Sequence, residues 1–203
     1  MRTTAVLLLC AVAACTSQGS EAAEYREDTS GRRDSVAGVA AASMNDASAL
    51  GLLRMTHSAD SALGALGAAR GATTEVKEFG RMILREHASL AREAGGAARD
   101  IGVAMETPKV APDDAPPGML EGVMAAPAGN TWDQAYIAYA IAMHDAAIEN
   151  TARALAATRR PEVRAYIERS VPILQKHLDR AKTLQERLAR LPASAQTPPT
   201  KKP

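Results

Sequence analysis

The sequence predicts an all-α protein built as a bundle of four long helices, and three observations carry the prediction. Ala, Leu, Arg and Glu, all good helix formers, dominate a chain with only 3% aromatic residues. Apolar residues recur at spacings of three and four over four long segments. Capping residues and Gly or Pro stops bracket those segments at sensible places.

The first helix is expected from about Met44 to Ala69, with Leu52, Ala59, Leu63 and Leu66 on its apolar side and a stop at Arg70-Gly71. The second starts at an N-cap of Thr73 or Thr74 and runs to about Ile101, with Gly102 as its terminator. Its stripe is Val76, Phe79, Ile83, His87, Leu90, Ala94, Ala97 and Ile101. The third opens at Thr131-Trp132-Asp133-Gln134, a capping-box pattern, and reaches about Thr158 with Ile137, Ile141, His144, Ile148, Thr151 and Leu155 aligned. The fourth begins at Arg160-Pro161-Glu162, with proline at the favoured first position, and continues to about Leu191. Val163, Ile167, Val171, Leu174, Leu178, Ala181 and Leu188 form its stripe, bordered by His177, and interior Pro172 should free a carbonyl and kink the axis. Residues 103–130 hold five prolines and join the two hairpins; such a stretch can span a helix length, so up-down and crossover topologies both fit.

The bundle so defined covers residues 43–191, and its flanks read differently. Arg2 precedes the apolar run Ala5 to Ala14, the length of a signal h-region and too short to cross a bilayer. Val12-Ala13-Ala14-Cys15 resembles the lipobox of bacterial lipoproteins, which implies that residues 1–14 are removed and that lipidated Cys15 anchors the chain to a membrane. Ordinary signal cleavage also fits the small residues Val12 and Ala14. Thr16 is not the Asp that retains many lipoproteins at the inner membrane, so the periplasmic face of the outer membrane is the expected address. Residues 15–42 form a polar tether, and the proline-rich 192–203 a tail, neither able to offset ordering entropy by burial.

Composition narrows the function classes. Twenty-four Lys and Arg against 23 Asp and Glu leave a formal charge of +1, without the basic excess of a nucleic-acid binder. Both cysteines, Cys10 and Cys15, precede the bundle, so thiol chemistry is excluded from it. No Ser-His-Asp arrangement, phosphate-binding glycine loop or paired core carboxylate points to an enzyme.

What remains is one histidine per helix: His57, His87, His144 and His177. Counted from the two hairpin turns at 1.5 Å per residue, their heights differ by about 7 Å at most, which puts all four in the middle layer. Clustered neutral imidazoles suit Zn, Cu, Fe or Ni. Asp60, one turn after His57, is placed to act as a ligand or to orient one. Glu86, Asp145 and Glu149 lie off the stripes and read as surface charges, and Met55, Met82 and Met143 as core filler. Di-iron chemistry needs Glu-x-x-His on two helices, whereas Arg54, Leu84, Ile141 and Leu174 stand three residues before the histidines. The competing expectation is a structural or interaction module of the envelope in which the histidines only pack.

Several of these segments resemble one family. Val76-Lys77-Glu78-Phe79, Met82 and Glu86-His87, then Trp132-Asp133-Gln134-Ala135-Tyr136 with His144, then Pro172 with His177, are similar to the ferritin-like family called domain of unknown function 4142, over roughly residues 48–190. Glu86 replaces the Asp more usual there, Asp60 stands where a Glu is usual, and His57 has no counterpart. The resemblance implies a ferritin-like bundle with a long crossover between the second and third helices.

The lipobox generates a direct test. Cys15→Ser should release the chain from sedimented membranes into the soluble fraction; a variant that still fractionates with the outer membrane refutes lipidation at this position.

Overall fold

A computed structural model describes residues 44–106 and 115–191. The expected signal, tether and C-terminal tail lie outside the described residues. Four long helices are present: α1 (Asp46–Arg70), α2 (Thr74–Asp100), α4 (Asn130–Ala157) and α5 (Pro161–Ala189), with a short α3 (Met119–Ala125) in the connection. No described helix is long and apolar enough to cross a membrane. α1 packs on α2 and α4, and α5 on α4 and α2.

Two aspartates fix how the hairpins meet. Asp133, in the first turn of α4, accepts from Ala72 N at 2.7 Å, Thr73 N at 2.8 Å and Thr73 Oγ1 at 2.8 Å, clasping the α1–α2 turn. Asp46, in the first turn of α1, clasps the α4–α5 turn in the same way, accepting from the Thr158 hydroxyl, Arg159 N and Arg160 N. α2 and α4 therefore start at the same end of the bundle and run parallel. The connection between them travels the full length, which selects the ferritin-like crossover over the up-down arrangement. Its first part lies on α1, where Glu106 N donates to Ala47 O at 3.3 Å, and α3 seats Val123 in the core at the other end.

The helix ends follow local chemistry with one exception. Asn45 and Ser48 cap α1 reciprocally, and Thr73 caps α2 by accepting from Val76 N at 3.3 Å. Gly102 stops α2 at φ +67°, a left-handed conformation costly for any other residue. The capping box expected at Thr131 and Gln134 does not form: the N-cap of α4 is Gly129, two residues earlier, and Gln134 Nε2 instead donates to Leu188 O at 3.2 Å. That bond, with a second from Asn130 Nδ2 at 3.2 Å, satisfies a carbonyl at the end of α5. α5 runs unbroken through Pro172, whose ring sits on the exposed side, so the bond that Glu168 O loses opens to water.

Packing rotates some expected stripes. In α4 the expected Ile137, His144 and Thr151 are buried, while Ile141, Ile148 and Leu155 are only half-buried and Tyr136, Ala140, Met143, Ala147, Asn150 and Ala154 line the core beside them. Several of the core-facing residues are small alanines, and the larger Ile141, Ile148 and Leu155 lie at the half-buried edges. Ala59 and Val171 are exposed, Ala98 replaces Ala97 in the core, and Ser170 and His177 take places in the α5 stripe itself. The expected loop over 103–130 contains α3, entered through Gly118 at φ +84°.

The closest helix approach is between α1 and α2. A Cβ on Gly64 would lie 2.3 Å from Leu84 N, and one on Gly80 2.3 Å from Ala68 N. Gly64→Ala should therefore destabilise the chain by about 1–3 kcal/mol through overpacking, read as a lowered denaturant midpoint. Gly122→Ala, with nothing within 4 Å of the added carbon, should be neutral or stabilising by up to about 1 kcal/mol. Equal midpoints for the two variants would contradict the packing described.

Candidate metal centre

Hydrophobic residues fill the bundle in two clusters with a polar layer between them. One cluster gathers Phe79, Ile83, Trp132, Tyr136, Ile137 and Leu184; the other gathers Leu50, Leu53, Leu90, Tyr166 and Ile167. Each has a tyrosine whose hydroxyl donates to a helix carbonyl, Tyr136 to Leu63 O at 3.2 Å and Tyr166 to Leu90 O at 3.1 Å. Trp132 stacks on Tyr136 with centroids 5.0 Å apart. Tyr136 reaches the carbonyl because Gly67 has no Cβ, which would lie 2.1 Å from the hydroxyl oxygen.

In the layer between stand His57, His87, His144, His177 and Asp60, all 0% exposed. Heptad spacing places them. His87 follows Ile83 and precedes Leu90 in α2, His144 lies between Ala140 and Ala147 in α4, and His177 between Leu174 and Ala181 in α5. Ring centroids are 5.3 Å apart for His57–His87 and His87–His144, 5.0 Å for His87–His177 and 5.4 Å for His144–His177. The midplane convergence expected from turn counting is present.

The protons follow from what each ring nitrogen faces. His144 Nδ1–H donates to Ala140 O at 2.8 Å, since a carbonyl can only accept, and its Nε2 is left buried without a hydrogen-bond partner. His177 Nε2–H donates to Glu86 Oε2 at 2.9 Å, and Lys176 Nζ holds the same oxygen at 2.7 Å. Partial burial would raise the Glu86 carboxyl, but the bonds from Lys176 and His177 outweigh it and hold it below its ordinary value. The lone pair on His177 Nδ1 then meets His87 Nε2 at 3.0 Å.

His87 has one proton for two demands. Its Nε2 faces His177 Nδ1, while its Nδ1 faces Asp60 Oδ2 at 3.2 Å and His57 Nδ1 at 3.3 Å. A proton on Nε2 is donated to His177 Nδ1 and leaves the Nδ1 lone pair to accept from His57, but against the Asp60 oxygen; a proton on Nδ1 is donated to Asp60 and leaves two lone pairs together at His177. A second proton would serve both, but burial, together with His144, His57 and His177, pushes His87 far below its ordinary value of 6.5. Burial also depresses His57 and His144 to about 4, and lowers His177 against the opposing pull of Glu86.

A cation between the rings would resolve the conflict. With the His87 proton on Nδ1 and directed at Asp60, the lone pairs of His87 Nε2, His144 Nε2 and His177 Nδ1 are all free for it. These three residues form one group whose ligand atoms lie within 4.8 Å of one another, and His57, Asp60 and His87 form a second. For metal–nitrogen bonds of about 2.0–2.1 Å, tetrahedral ligands stand about 3.3 Å apart, so small rotations suffice.

The structure brings all four expected histidines and Asp60 into one layer, and the sequence left open whether Asp60 coordinates or orients. Asp60 faces His87 from α1, and His57 joins it rather than the other two histidines. Glu86, expected as a surface charge, is a correction: its side chain, 31% exposed, reaches from α2 to the His177 ring. Adjacency to His87 in sequence was the only signal, and the contact is made across to another helix. Asp145 and Glu149 are exposed as expected, and Met143 is core while Met55 is 43% exposed.

Fold and layer together define an all-helical bundle of the ferritin-like class with a buried cluster of four histidines and one aspartate at its middle. The chain belongs to the family described as Domain of unknown function (DUF4142), whose model matches residues 32–184. No curated protein and no solved structure matches it.

The depressed histidines make metal-free stability depend on pH. Each ring binds a proton more weakly folded than unfolded, so its contribution is complete above about pH 6.5 and declines as pH falls towards 4. The slope reaches about 1.4 kcal/mol per pH unit for each ring. Denaturant midpoints in chelator should fall over this window, less steeply for His144→Ala; a flat profile would contradict neutral buried rings.

Proposed function

We propose that this chain is a lipid-anchored envelope protein whose bundle binds one divalent transition metal through His87 Nε2, His144 Nε2 and His177 Nδ1. A single observation carries the reading. Each ring has an acceptor at one nitrogen, Asp60 Oδ2, Ala140 O and Glu86 Oε2 respectively, so one tautomer of each frees the other nitrogen's lone pair within a group whose ligand atoms lie within 4.8 Å of one another. Ligating histidines are normally fixed in this way, and the partners raise ligand basicity. Nitrogen-only ligation favours Zn or Cu over Mg or Ca, with Fe and Ni as weaker fits to a three-imidazole set. The bound ion would supply positive charge to a layer whose rings cannot acquire it by protonation. Complete burial of the three rings suits holding the ion more than turning over a substrate.

Elemental mass spectrometry of the purified chain after Zn or Cu loading tests the reading. Stoichiometric metal is expected in the parent, and none in the double variant His87→Ala, His144→Ala. Glu86→Gln should weaken binding about 10- to 100-fold while leaving the stoichiometry at saturation. Metal should raise the melting temperature of the parent and leave the double variant unchanged. Equal melting shifts for the two proteins in chelator and in excess metal would refute the reading and leave a packing role in a structural module.

A further inference from the structure

The three-histidine reading uses one nitrogen of His87 and leaves His57 without a role. His57 and Asp60 are one turn apart on α1, both fully buried, and both address the opposite nitrogen of the same ring. His57 Nδ1 lies 3.3 Å and Asp60 Oδ2 3.2 Å from His87 Nδ1. Both separations match the edge of about 3.3 Å between ligands of a tetrahedral ion with bonds near 2.0–2.1 Å. The same edges are awkward as hydrogen bonds. Once His87 Nδ1 carries the proton that frees Nε2, it must divide that proton between a carboxylate and an imidazole.

From this geometry we propose that His57, Asp60 and His87 hold a second divalent transition metal, and that His87 bridges the two ions through its two ring nitrogens. The proposal rests on the three-histidine site described above and extends it to a dinuclear centre. On binding the second ion, His87 Nδ1 gives its proton to solvent and coordinates in its place. Asp60 Oδ2 changes from acceptor of that proton to ligand, and no electrons move. The ions stand about 6 Å apart, two metal–nitrogen bonds of about 2 Å plus the width of the ring. The anionic His87 ring and Asp60 supply two negative charges against the four positive charges of the ions, and Glu86 adds a third beside His177. A carboxylate with two nitrogens makes the α1 side harder than the nitrogen-only site, so the second ion is held more weakly and fills later.

The decisive experiment loads the metal-free full chain with Cu(II) or Zn(II) and counts ions by native mass spectrometry. Circular dichroism of each variant confirms its helix content. Two ions per parent chain are expected, with the steps resolved in titration. His57→Ala and Asp60→Asn should retain one, His144→Ala should retain one, and His87→Ala, removing the shared ligand, should lose both. Where His87→Ala fails to fold, the paramagnetic resonance of Cu(II)-loaded parent decides instead. Coupling through the ring should reduce the signal well below the copper content, and Asp60→Asn should restore a full single-ion signal. A parent that saturates at one ion, unaffected by His57→Ala, overturns the bridge and leaves the three-histidine site standing. A parent that binds none overturns both.

Discussion

The structure is organised around a polar layer that cannot be left unsatisfied. Four imidazoles and the Asp60 carboxylate are withdrawn from water at the middle of a helical core, where an unmatched polar group costs on the order of 1–3 kcal/mol. The surroundings supply partners from different elements: a carbonyl of α4 for His144, a carboxylate of α2 for His177 and a carboxylate of α1 for His87. Sliding any helix by one heptad would set an imidazole among leucines and strand its partners. The layer therefore specifies register as well as chemistry, as single buried polar residues do in coiled coils. The two aspartate clasps at the ends hold that register from outside.

What the sequence made legible was the part governed by local periodicity. The α2 stripe could be read because its buried residues, Val76, Phe79, Ile83 and Leu90, are also its large apolar ones. In α4 half of the expected stripe, Ile137, His144 and Thr151, is buried, and the other half was read one residue late because the core there is lined by Ala140, Ala147 and Ala154 while a hydrophobicity pattern follows Ile141 and Ile148. Close approach of helices selects for smallness, and smallness carries almost no periodic signal. The same principle hid the Gly64–Gly80 contact inside what read as ordinary helix. In the crossover, prolines at 112, 116, 117 and 127 obscured α3, seven residues long.

Of the candidate site, membership and height could be read but pairing could not. Turn counting placed four histidines in one layer without saying which nitrogen of each faces which neighbour. His57 and Asp60 belong on one side of His87, and His144 and His177 on the other, because α1 and α5 sit diagonally across the bundle. Glu86 was inaccessible for the same reason. In an isolated helix the residue before a core histidine points aside, and only the position of α5 turns that direction into a bond with His177. The family match speaks to fold over residues 32–184, whereas the chemistry is argued from these contacts.

The crossover connection has an electrostatic consequence for the layer. With α2 and α4 running parallel across the diagonal, every pair of adjacent helices is antiparallel, so at each end of the bundle two positive helix termini alternate with two negative ones. Each histidine lies at least eleven residues, about 16 Å, from either end of its helix, beyond the one-turn range over which terminal partial charges act. The macrodipoles thus cancel laterally and fade axially before they reach the middle. The waist of the bundle lies beyond the reach of the helix termini, and the affinity of its imidazoles for charge is set locally, by burial, by the rings on one another, and by Glu86 with Lys176 and the carbonyl of Ala140.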